Sequence, residues 1–174
     1  LSVSRLVPNK RVDLLVRAFN KLKLPLIIVG DGVEKAYLKD LAGPTIQILG
    51  FQSKEKIEDL MSKCRAFVYA GIEDFGIAPV EAMASGAPVI AFGMGGVLDT
   101  VKCISSNSDE GATGLLFPDQ TEKSLVEAIE FFKEKQLWKY LNPELIRDWA
   151  NSFSQDSFKS RFEKTINTAW GEHI

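Results

Sequence analysis

Short apolar runs recur about every twenty residues along this chain of 174 residues. They are rich in Val, Ile and Leu with little polar alternation, which is typical of strands covered on both faces. The six runs span residues 1–6, 25–30, 45–50, 66–71, 88–93 and 113–118. Segments with the helical spacing of Leu15, Ala18, Phe19 and Leu22 separate them. This alternation predicts an α/β fold, with an open parallel sheet of about six strands and helices on both faces.

The last part of the chain carries a different pattern. Residues 137–172 predict two helices and no further strand, with Asn142-Pro143 starting the first helix and Ser154 capping the second. One face of the second helix carries Phe158, Phe162, Ile166 and Ala169. The predicted sheet therefore has C-terminal helices attached to it.

Composition narrows the class of protein. The 21 Lys and Arg nearly balance the 23 Asp and Glu, so the chain lacks the basic surface expected of a nucleic-acid-binding protein. No uncharged apolar run approaches the roughly 18 residues of a membrane span. Two cysteines, Cys64 and Cys103, cannot form a disulfide framework, which favours a reducing, cytoplasmic location. Because the chain starts at Leu1 inside an apolar run, we expect an excised fragment whose N-terminal part is not included.

Parallel sheets of this kind bind ligands at the carboxyl ends of their strands. Arg5 and Lys10 flank the turn after the first run. An Arg fork and a Lys point charge beside a helix N-terminus suit a diphosphate, although a solvated turn explains the same residues. Gly30-Asp31-Gly32 follows the second run and lacks the G-x-G-x-x-G fingerprint, so a tight turn explains it well.

The most informative segment runs from Gly71 to Glu81. Glu73 lies in the loop after the fourth run, and Pro79 suits the first turn of a helix, which places Glu81 in that helix. Two carboxylates that face one cleft can accept hydrogen bonds from the hydroxyls of a polyhydroxylated ligand without a metal. Acidic residues near a helix N-terminus are also explained by the helix dipole, so both interpretations stay open.

A glycine-rich segment and the only histidine also bear on the chemistry. Gly93, Gly95 and Gly96 follow the fifth run and form either an anion-binding nest or a flexible turn. His173, the only histidine, is expected to be solvated and idle, so a mechanism that needs a Ser-His or Cys-His pair is not predicted. No Cys and His cluster has the spacing of metal ligands.

Taken together, these residues resemble the C-terminal, donor-binding domain of the retaining GT-B glycosyltransferases of family four. The strongest match is the E-x7-E motif, from Glu73 to Glu81 within EDFGIAPVEAMASGAPVIA. SRLVPNKRVDLLVRAF, VGDG, LGF, GMGGVLD and TGLLFP follow the family's order. Three departures stand out: Arg11 replaces a usual Gly, Asp99 replaces a usual Glu, and a long polar loop, CISSNSDEGA, precedes TGLLFP.

The resemblance implies a role for each matching residue. Arg5 and Lys10 are implied to bind the donor's diphosphate and offset the charge on the leaving nucleotide, with no metal or other cofactor. Glu73 is implied to hold hydroxyls of the donor sugar, and Glu81 to accept from the nucleotide ribose. The remaining implied donor-binding residues are Gly50 and Phe51 beside the base, Phe75, Gly76 and Ile77 through their amides, and Gly95 and Gly96.

The resemblance also implies a reaction and its participants. Residues 1–174 form the Rossmann-like donor half of a GT-B fold, while a preceding domain binds a sugar or lipid-linked acceptor. A sugar then passes from a nucleotide diphosphate to an acceptor hydroxyl with retention of anomeric configuration. The run FGIAPVEAMASG most resembles bacterial mannosyltransferases of polysaccharide biosynthesis, which favours GDP-mannose over UDP-glucose. The full-length protein is expected in the cytoplasm, with peripheral association at the inner face of the membrane left open.

Three rival functions come from other classes. A GT-B sugar-nucleotide epimerase shares the fold and the diphosphate site, but it is not expected to carry E-x7-E in this setting. A nucleotide-binding module without catalysis does not need Arg5, Lys10, Glu73 and Glu81 together. The missing G-x-G-x-x-G argues against half of an NAD-dependent dehydrogenase.

Overall fold

The structure, a computed structural model, describes residues 1–104 and 111–171. The strands are β1 (Ser2–Val3), β2 (Leu26–Val29), β3 (Ile46–Gly50), β4 (Phe67–Tyr69), β5 (Val89–Phe92) and β6 (Gly114–Phe117). The helices are α1 (Val12–Leu22), α2 (Lys35–Leu41), α3 (Lys54–Lys63), α4 (Ile77–Ala84), α5 (Val97–Thr100), α6 (Glu122–Glu134), α7 (Pro143–Asn151) and α8 (Gln155–Gly171). Each apolar run of the sequence contains one strand.

The strands form two parallel sheets of three, in the orders β1-β2-β3 and β4-β5-β6. Backbone hydrogen bonds join the two sheets side by side: the amide of Val68 donates to the carbonyl of Leu1 (2.8 Å), and the Leu1 amine donates to Ala66 (3.0 Å). The strand order across both sheets is therefore 3-2-1-4-5-6. The prediction of an α/β fold with an open parallel sheet of about six strands is confirmed.

The helices pack in two groups. One contains α1, α2 and α6, and the other contains α3, α4 and α7. The crossovers from β1 to β3 step across the sheet in one direction, and those from β4 to β6 step in the opposite direction. Because such crossovers are right-handed, the two groups of helices cover opposite faces of the sheet. This two-sided cover explains why strand β5 is buried along its whole length.

Polar side chains cap several helices where the sequence places Ser, Thr or Asn. Asn142 Oδ1 accepts from the amide of Glu144 (2.8 Å) at α7, and Ser154 Oγ accepts from that of Ser157 (3.3 Å) at α8. Both terminal helices were predicted. Helix α8 leaves its apolar residues exposed, at Phe158, Phe162, Ile166 and Trp170. Among the described helices, none is long and apolar enough to cross a membrane.

Candidate functional site

The site lies where the carboxyl ends of β1 and β4 meet. These strands are neighbours, yet the chain leaves them in opposite directions across the sheet, which makes this edge the topological switch point. The turn after β1 carries Lys10, and the loop after β4 carries Glu73. The fold thus brings together two residues that are 63 positions apart.

Lys10, Tyr69 and Glu73 form a hydrogen-bonded cluster. We name it the donor cluster, after the sugar-donor site that the resemblance implies for Lys10 and Glu73. Oε1 of Glu73 accepts from both Lys10 Nζ and the hydroxyl of Tyr69, the latter at 2.6 Å. Tyr69 is buried at the last position of β4, whereas the side chains of Lys10 and Glu73 are 16% and 30% exposed. The cluster therefore has a buried side, formed by Tyr69, and a partly exposed, charged side, formed by Lys10 and Glu73.

The electrostatics of the donor cluster keep its carboxyl ionised and its phenol neutral. Partial burial acts to raise the pKa of Glu73, but the hydrogen bonds from Lys10 and Tyr69 outweigh it and hold that pKa below its ordinary value. Burial raises the pKa of Tyr69 far above its ordinary value, and the neighbouring Glu73 carboxylate raises it further. At neutral pH Glu73 is an acceptor of hydrogen bonds and Tyr69 is a donor.

Gly71 lets the backbone of the turn that carries Lys10 pass close to the loop after β4. A Cβ at Gly71 would lie 3.0 Å from the Tyr69 hydroxyl oxygen and 3.1 Å from the Cα of Lys10. Both distances are tighter than ordinary van der Waals contacts, so any side chain here would press against the cluster. The glycine therefore has a packing role beneath the site.

Gln120 ties three segments together around the site. Its Nε2 donates to the carbonyl of Ala70 (2.7 Å), and its Oε1 accepts from Nη1 of Arg11 (3.2 Å). These bonds connect the loop after β6 with the loop after β4 and with the start of α1. They fix the backbone on both sides of the donor cluster.

Arg11 occupies a backbone conformation that favours glycine. Its φ and ψ are 50° and 40°, in the left-handed region, which gives a physical reason for the Gly usual at this position of the resembling family. Arg11 also donates through Nε to Asp13 (3.2 Å). We infer that the contacts to Asp13 and Gln120 offset the cost of about 1 kcal/mol or more expected of a non-glycine residue here.

The Gly95-Gly96 loop pairs with the loop that carries Glu73. The amide of Gly96 donates to the carbonyl of Glu73 (2.7 Å). A Cβ at Gly95 would lie 2.4 Å from that carbonyl oxygen, and one at Gly96 would lie 2.3 Å from the carbonyl oxygen of Asp74. The amide of Gly96 is thus used within the chain, which supports the turn interpretation for Gly96. The Gly95 amide bonds to no backbone carbonyl in the described part.

Arg5 lies at the carboxyl end of β1, as predicted, but it does not join the donor cluster. Its side chain is exposed and bonds to no other side chain or carbonyl within residues 1–104 and 111–171. The two cations of the predicted pair therefore differ: Lys10 is held by Glu73, and Arg5 faces solvent.

The segment after Glu73 begins helix α4. Gly76 precedes the helix with φ at 83°, a conformation that glycine adopts without strain. The amides of Phe75, Gly76 and Ile77 donate to no carbonyl of the described residues, as expected at a helix N-terminus. Glu81 lies in α4, as predicted, with an exposed side chain that makes no hydrogen bond within the described segments. It takes no part in the donor cluster.

Two other predicted features lie at the end of β2 and β3. Phe51 is 82% exposed directly after the buried Gly50, so its ring is free to stack on a ligand. Asp31 accepts from the amide of Gly32 (2.8 Å) and from Lys35 Nζ (2.5 Å), which confirms a tight turn. The hydrogen bond from Lys35, followed by that from Gly32, holds the pKa of Asp31 below its ordinary value.

The described residues contain no group of three or more His, Cys, Asp or Glu arranged to hold a metal ion. His173 and residues 105–110 of the polar loop lie outside the described residues. A cavity of about 460 Å³ opens beside Leu1, Pro25 and Ala66, at the amino ends of the strands. Its lining is largely apolar and excludes the donor cluster, which lies at the opposite edge of the sheet.

Sequence reasoning missed Tyr69 and Gln120. A tyrosine in the apolar run AFVYAG is indistinguishable from a core residue until its hydroxyl is seen to contact Glu73. Gln120 lies three residues after the end of β6, and its position at a strand's carboxyl end was the available signal. Nothing in the spacing shows that it reaches Ala70.

Comparison with known proteins gives a consistent result. The profile described as "Glycosyl transferases group 1" matches residues 1–152. An uncharacterized glycosyltransferase of Methanocaldococcus jannaschii is 31% identical over 172 residues, covering 95% of this chain and 45% of that protein. A GDP-mannose-dependent alpha-mannosyltransferase of Mycobacterium tuberculosis is 36% identical over 117 residues, covering 67% of this chain and 29% of that protein.

A solved structure shares the fold. Anabaena HepE, crystallised with UDP-glucose, superposes with a TM-score of 0.76 at 25% identity, covering 96% of this chain and 48% of that one. The present chain therefore spans less than half the length of these proteins.

Proposed function

This chain belongs to the family of group 1 glycosyl transferases, and on that basis we propose that the protein transfers a sugar from a nucleotide diphosphate to an acceptor hydroxyl, with retention of anomeric configuration. The donor cluster carries the proposal. It puts a cation suited to a diphosphate beside a carboxylate suited to sugar hydroxyls, at the ligand-binding edge of the sheet.

The proposed role of residues 1–174 is that of the donor-binding half of a GT-B enzyme. The chain's coverage of 45% and 48% of two relatives is compatible with a second domain in the full-length protein. Helix α8 offers a surface for such a domain, because Phe158, Phe162, Ile166 and Trp170 are all at least half exposed. Apolar stripes of this kind are usually covered by another surface.

Catalysis in this proposal consists of positioning and of stabilising the leaving group. Lys10 and the exposed Arg5 would neutralise the negative charge that grows on the diphosphate as the bond to the sugar breaks. Glu73 would accept hydrogen bonds from sugar hydroxyls, which its ionised state allows. Holding the sugar and the diphosphate from two sides would orient the reacting carbon toward the acceptor.

The remaining donor contacts are proposed around this centre. Glu81 would accept from the ribose, and Phe51 would lie against the base beside Gly50. The amides of Phe75, Gly76 and Ile77, which bond to no carbonyl of residues 1–104 and 111–171, would donate to the sugar or phosphate, as helix N-termini do with anions. Gly95 would contribute its amide, while Gly96 would support the Glu73 loop from behind.

We propose GDP-mannose as the donor, with UDP-glucose as the alternative. The mycobacterial relative named as GDP-mannose-dependent supports the first, and Anabaena HepE with bound UDP-glucose supports the second. Supplying both donors to the full-length protein with a panel of sugar and lipid-linked acceptors tests the proposal. Release of nucleotide with formation of an α-linked product supports it, whereas an epimerised nucleotide sugar without transfer would identify the rival epimerase.

Nucleotide binding is expected to need no divalent metal. Lys10 and Arg5 supply positive charge at the site, and the described residues form no metal-binding group. Calorimetric titration of the full-length protein with GDP and with UDP, each in EDTA and in magnesium, should give the same affinity in both buffers. Binding that disappears in EDTA would contradict this expectation.

Glu73 and Glu81 are expected to recognise different parts of the donor. Glu73→Gln should lower the affinity for the nucleotide sugar roughly tenfold and leave the affinity for the free nucleotide unchanged. The reason is that a charged hydrogen bond contributes about 1.5–3 kcal/mol before water replaces it. Glu81→Gln should lower the affinity for both ligands alike, because both contain the ribose. Side-by-side titration of each variant with nucleotide and nucleotide sugar measures the difference. Equal weakening of both ligands by Glu73→Gln would remove the sugar assignment.

A further inference from the structure

The two oxygens of the Glu73 carboxylate have different surroundings. Oε1 accepts two hydrogen bonds, from Lys10 and from Tyr69, while Oε2 accepts none from the described residues. Since the side chain is 30% exposed, the cluster holds one oxygen and leaves the other for a ligand. This asymmetry is produced by the chain's own residues.

The two donors to Oε1 differ in how firmly they are held. Lys10 reaches the carboxylate with a flexible side chain whose ammonium is strongly attracted to phosphate. Tyr69 is only 2% exposed and its ring is fixed in the core at the end of β4. Its hydroxyl therefore cannot follow a ligand, and it stays where the backbone of β4 places it.

Diphosphate binding would compete for Lys10. In the structure the positive charge of Lys10 is neutralised by its ion pair with Glu73. If the ammonium turns toward a diphosphate, Glu73 loses one of its two hydrogen bonds and could swing toward solvent. Tyr69 is the contact that remains.

We propose that Tyr69 is a positioning residue of the donor site: its hydroxyl holds Oε1 of Glu73, so that Oε2 stays presented to the donor sugar when Lys10 moves to the diphosphate. This inference rests on the proposed function, because it assigns the sugar to Glu73 and the diphosphate to Lys10. Tyr69 acts through Glu73, because its hydroxyl donates to Oε1. Burial and the neighbouring carboxylate raise the pKa of that hydroxyl, so it stays a hydrogen-bond donor at neutral pH.

The first test compares ligands in the full-length protein. Tyr69→Phe keeps the buried ring and removes only the hydroxyl. It should bind GDP and UDP within about twofold of wild type, yet bind GDP-mannose or UDP-glucose roughly tenfold more weakly, the loss of one charged hydrogen bond. Tyr37→Phe is the matched control, because Tyr37 accepts a hydrogen bond from Arg17 on the surface, away from the site. Tyr37→Phe should leave the affinities for the nucleotide and for the nucleotide sugar unchanged.

A double-mutant cycle separates positioning from general structural damage. If Tyr69 acts through Glu73, the variant with both Tyr69→Phe and Glu73→Gln should bind the nucleotide sugar about as well as Glu73→Gln alone. Additive losses would show that Tyr69 acts independently and would overturn the proposal. A uniform loss of nucleotide and nucleotide sugar would do the same.

The pH dependence of nucleotide-sugar binding distinguishes a positioning role of Tyr69 from a loss of packing. Within residues 1–104 and 111–171, the titratable groups that bond to the Glu73 carboxylate are Lys10 from the turn before α1 and Tyr69 from β4. The paired Gly95-Gly96 loop has no titratable side chain at the contact. Removing the Tyr69 hydroxyl should raise the pKa of Glu73, so nucleotide-sugar binding should fail at a higher pH as the solution is acidified. Carbon-13 NMR of labelled Glu carboxyls follows this titration directly, and an unchanged midpoint would contradict the proposal.

A second variant covers the case in which Tyr69→Phe does not fold. Placing 3-fluorotyrosine at position 69 keeps the ring and the hydroxyl but makes it a stronger donor, so it should lower the pKa of Glu73 instead. A rise or no change would overturn the proposal. If wild-type protein binds none of the four ligands, the proposed function fails, whereas binding by wild type with unchanged selectivity in Tyr69→Phe refutes the Tyr69 proposal alone.

Discussion

Replacing Lys10 with alanine is expected to lower the rate of sugar transfer by the full-length protein roughly ten- to a hundredfold. The variant loses a charge-assisted contact to the leaving diphosphate, which contributes about 1.5–3 kcal/mol. Because charge on the diphosphate grows toward the transition state, kcat should fall more than the affinity for the donor. Steady-state kinetics with the active donor measures both quantities.

Lys21→Ala provides the control for this experiment. Lys21 lies on the surface of α1, 3.8 Å from Glu122 in an exposed ion pair, and such pairs contribute little. Its removal should leave kcat unchanged. Lys10→Met keeps much of the side-chain length without the charge, and it should behave like Lys10→Ala. Equal losses from Lys10→Ala and Lys21→Ala would mean that the leaving group is stabilised elsewhere.

Replacing Gly96 with alanine is expected to destabilise the domain by about 3 kcal/mol or more. The new Cβ would lie 2.3 Å from the carbonyl oxygen of Asp74 and 2.5 Å from the Cα of Phe75. Both obstacles are backbone atoms, so relief requires the loop that carries Glu73 to move away and to break the bond from the Gly96 amide. Urea unfolding of wild type and variant measures the change in the free energy of unfolding.

Gly93 offers a matched comparison within the same loop. A Cβ there would lie 3.4 Å from its nearest neighbour, the carbonyl oxygen of Phe117, which is an ordinary contact. Gly93→Ala should therefore change stability by less than about 1 kcal/mol. If the two variants unfold at the same urea concentration, the close approach between the Gly96 and Glu73 loops does not contribute to stability.

Much of the fold was predictable because its signals are local. Strands buried on both faces need continuous apolar runs, and each of the six runs contains a strand. The terminal helices were predicted from caps that the structure contains, Asn142 and Ser154. The strand order 3-2-1-4-5-6 was not predicted, since side-by-side pairing depends on contacts between residues far apart in the chain.

The candidate site, like the fold, was predictable where it depends on local signals and not where it depends on contacts between distant residues. The sequence by itself determined that Lys10 and Glu73 follow apolar runs, and the α/β pattern determined that such positions lie at one edge of a parallel sheet. Only the tertiary structure decided that Lys10 reaches Glu73 while Arg5 faces solvent, that Gly96 uses its amide within the chain, and that Tyr69 belongs to the site. Periodicity specifies which face a residue occupies, but the partner of a side chain depends on strand order and loop packing, which bring together residues 63 positions apart.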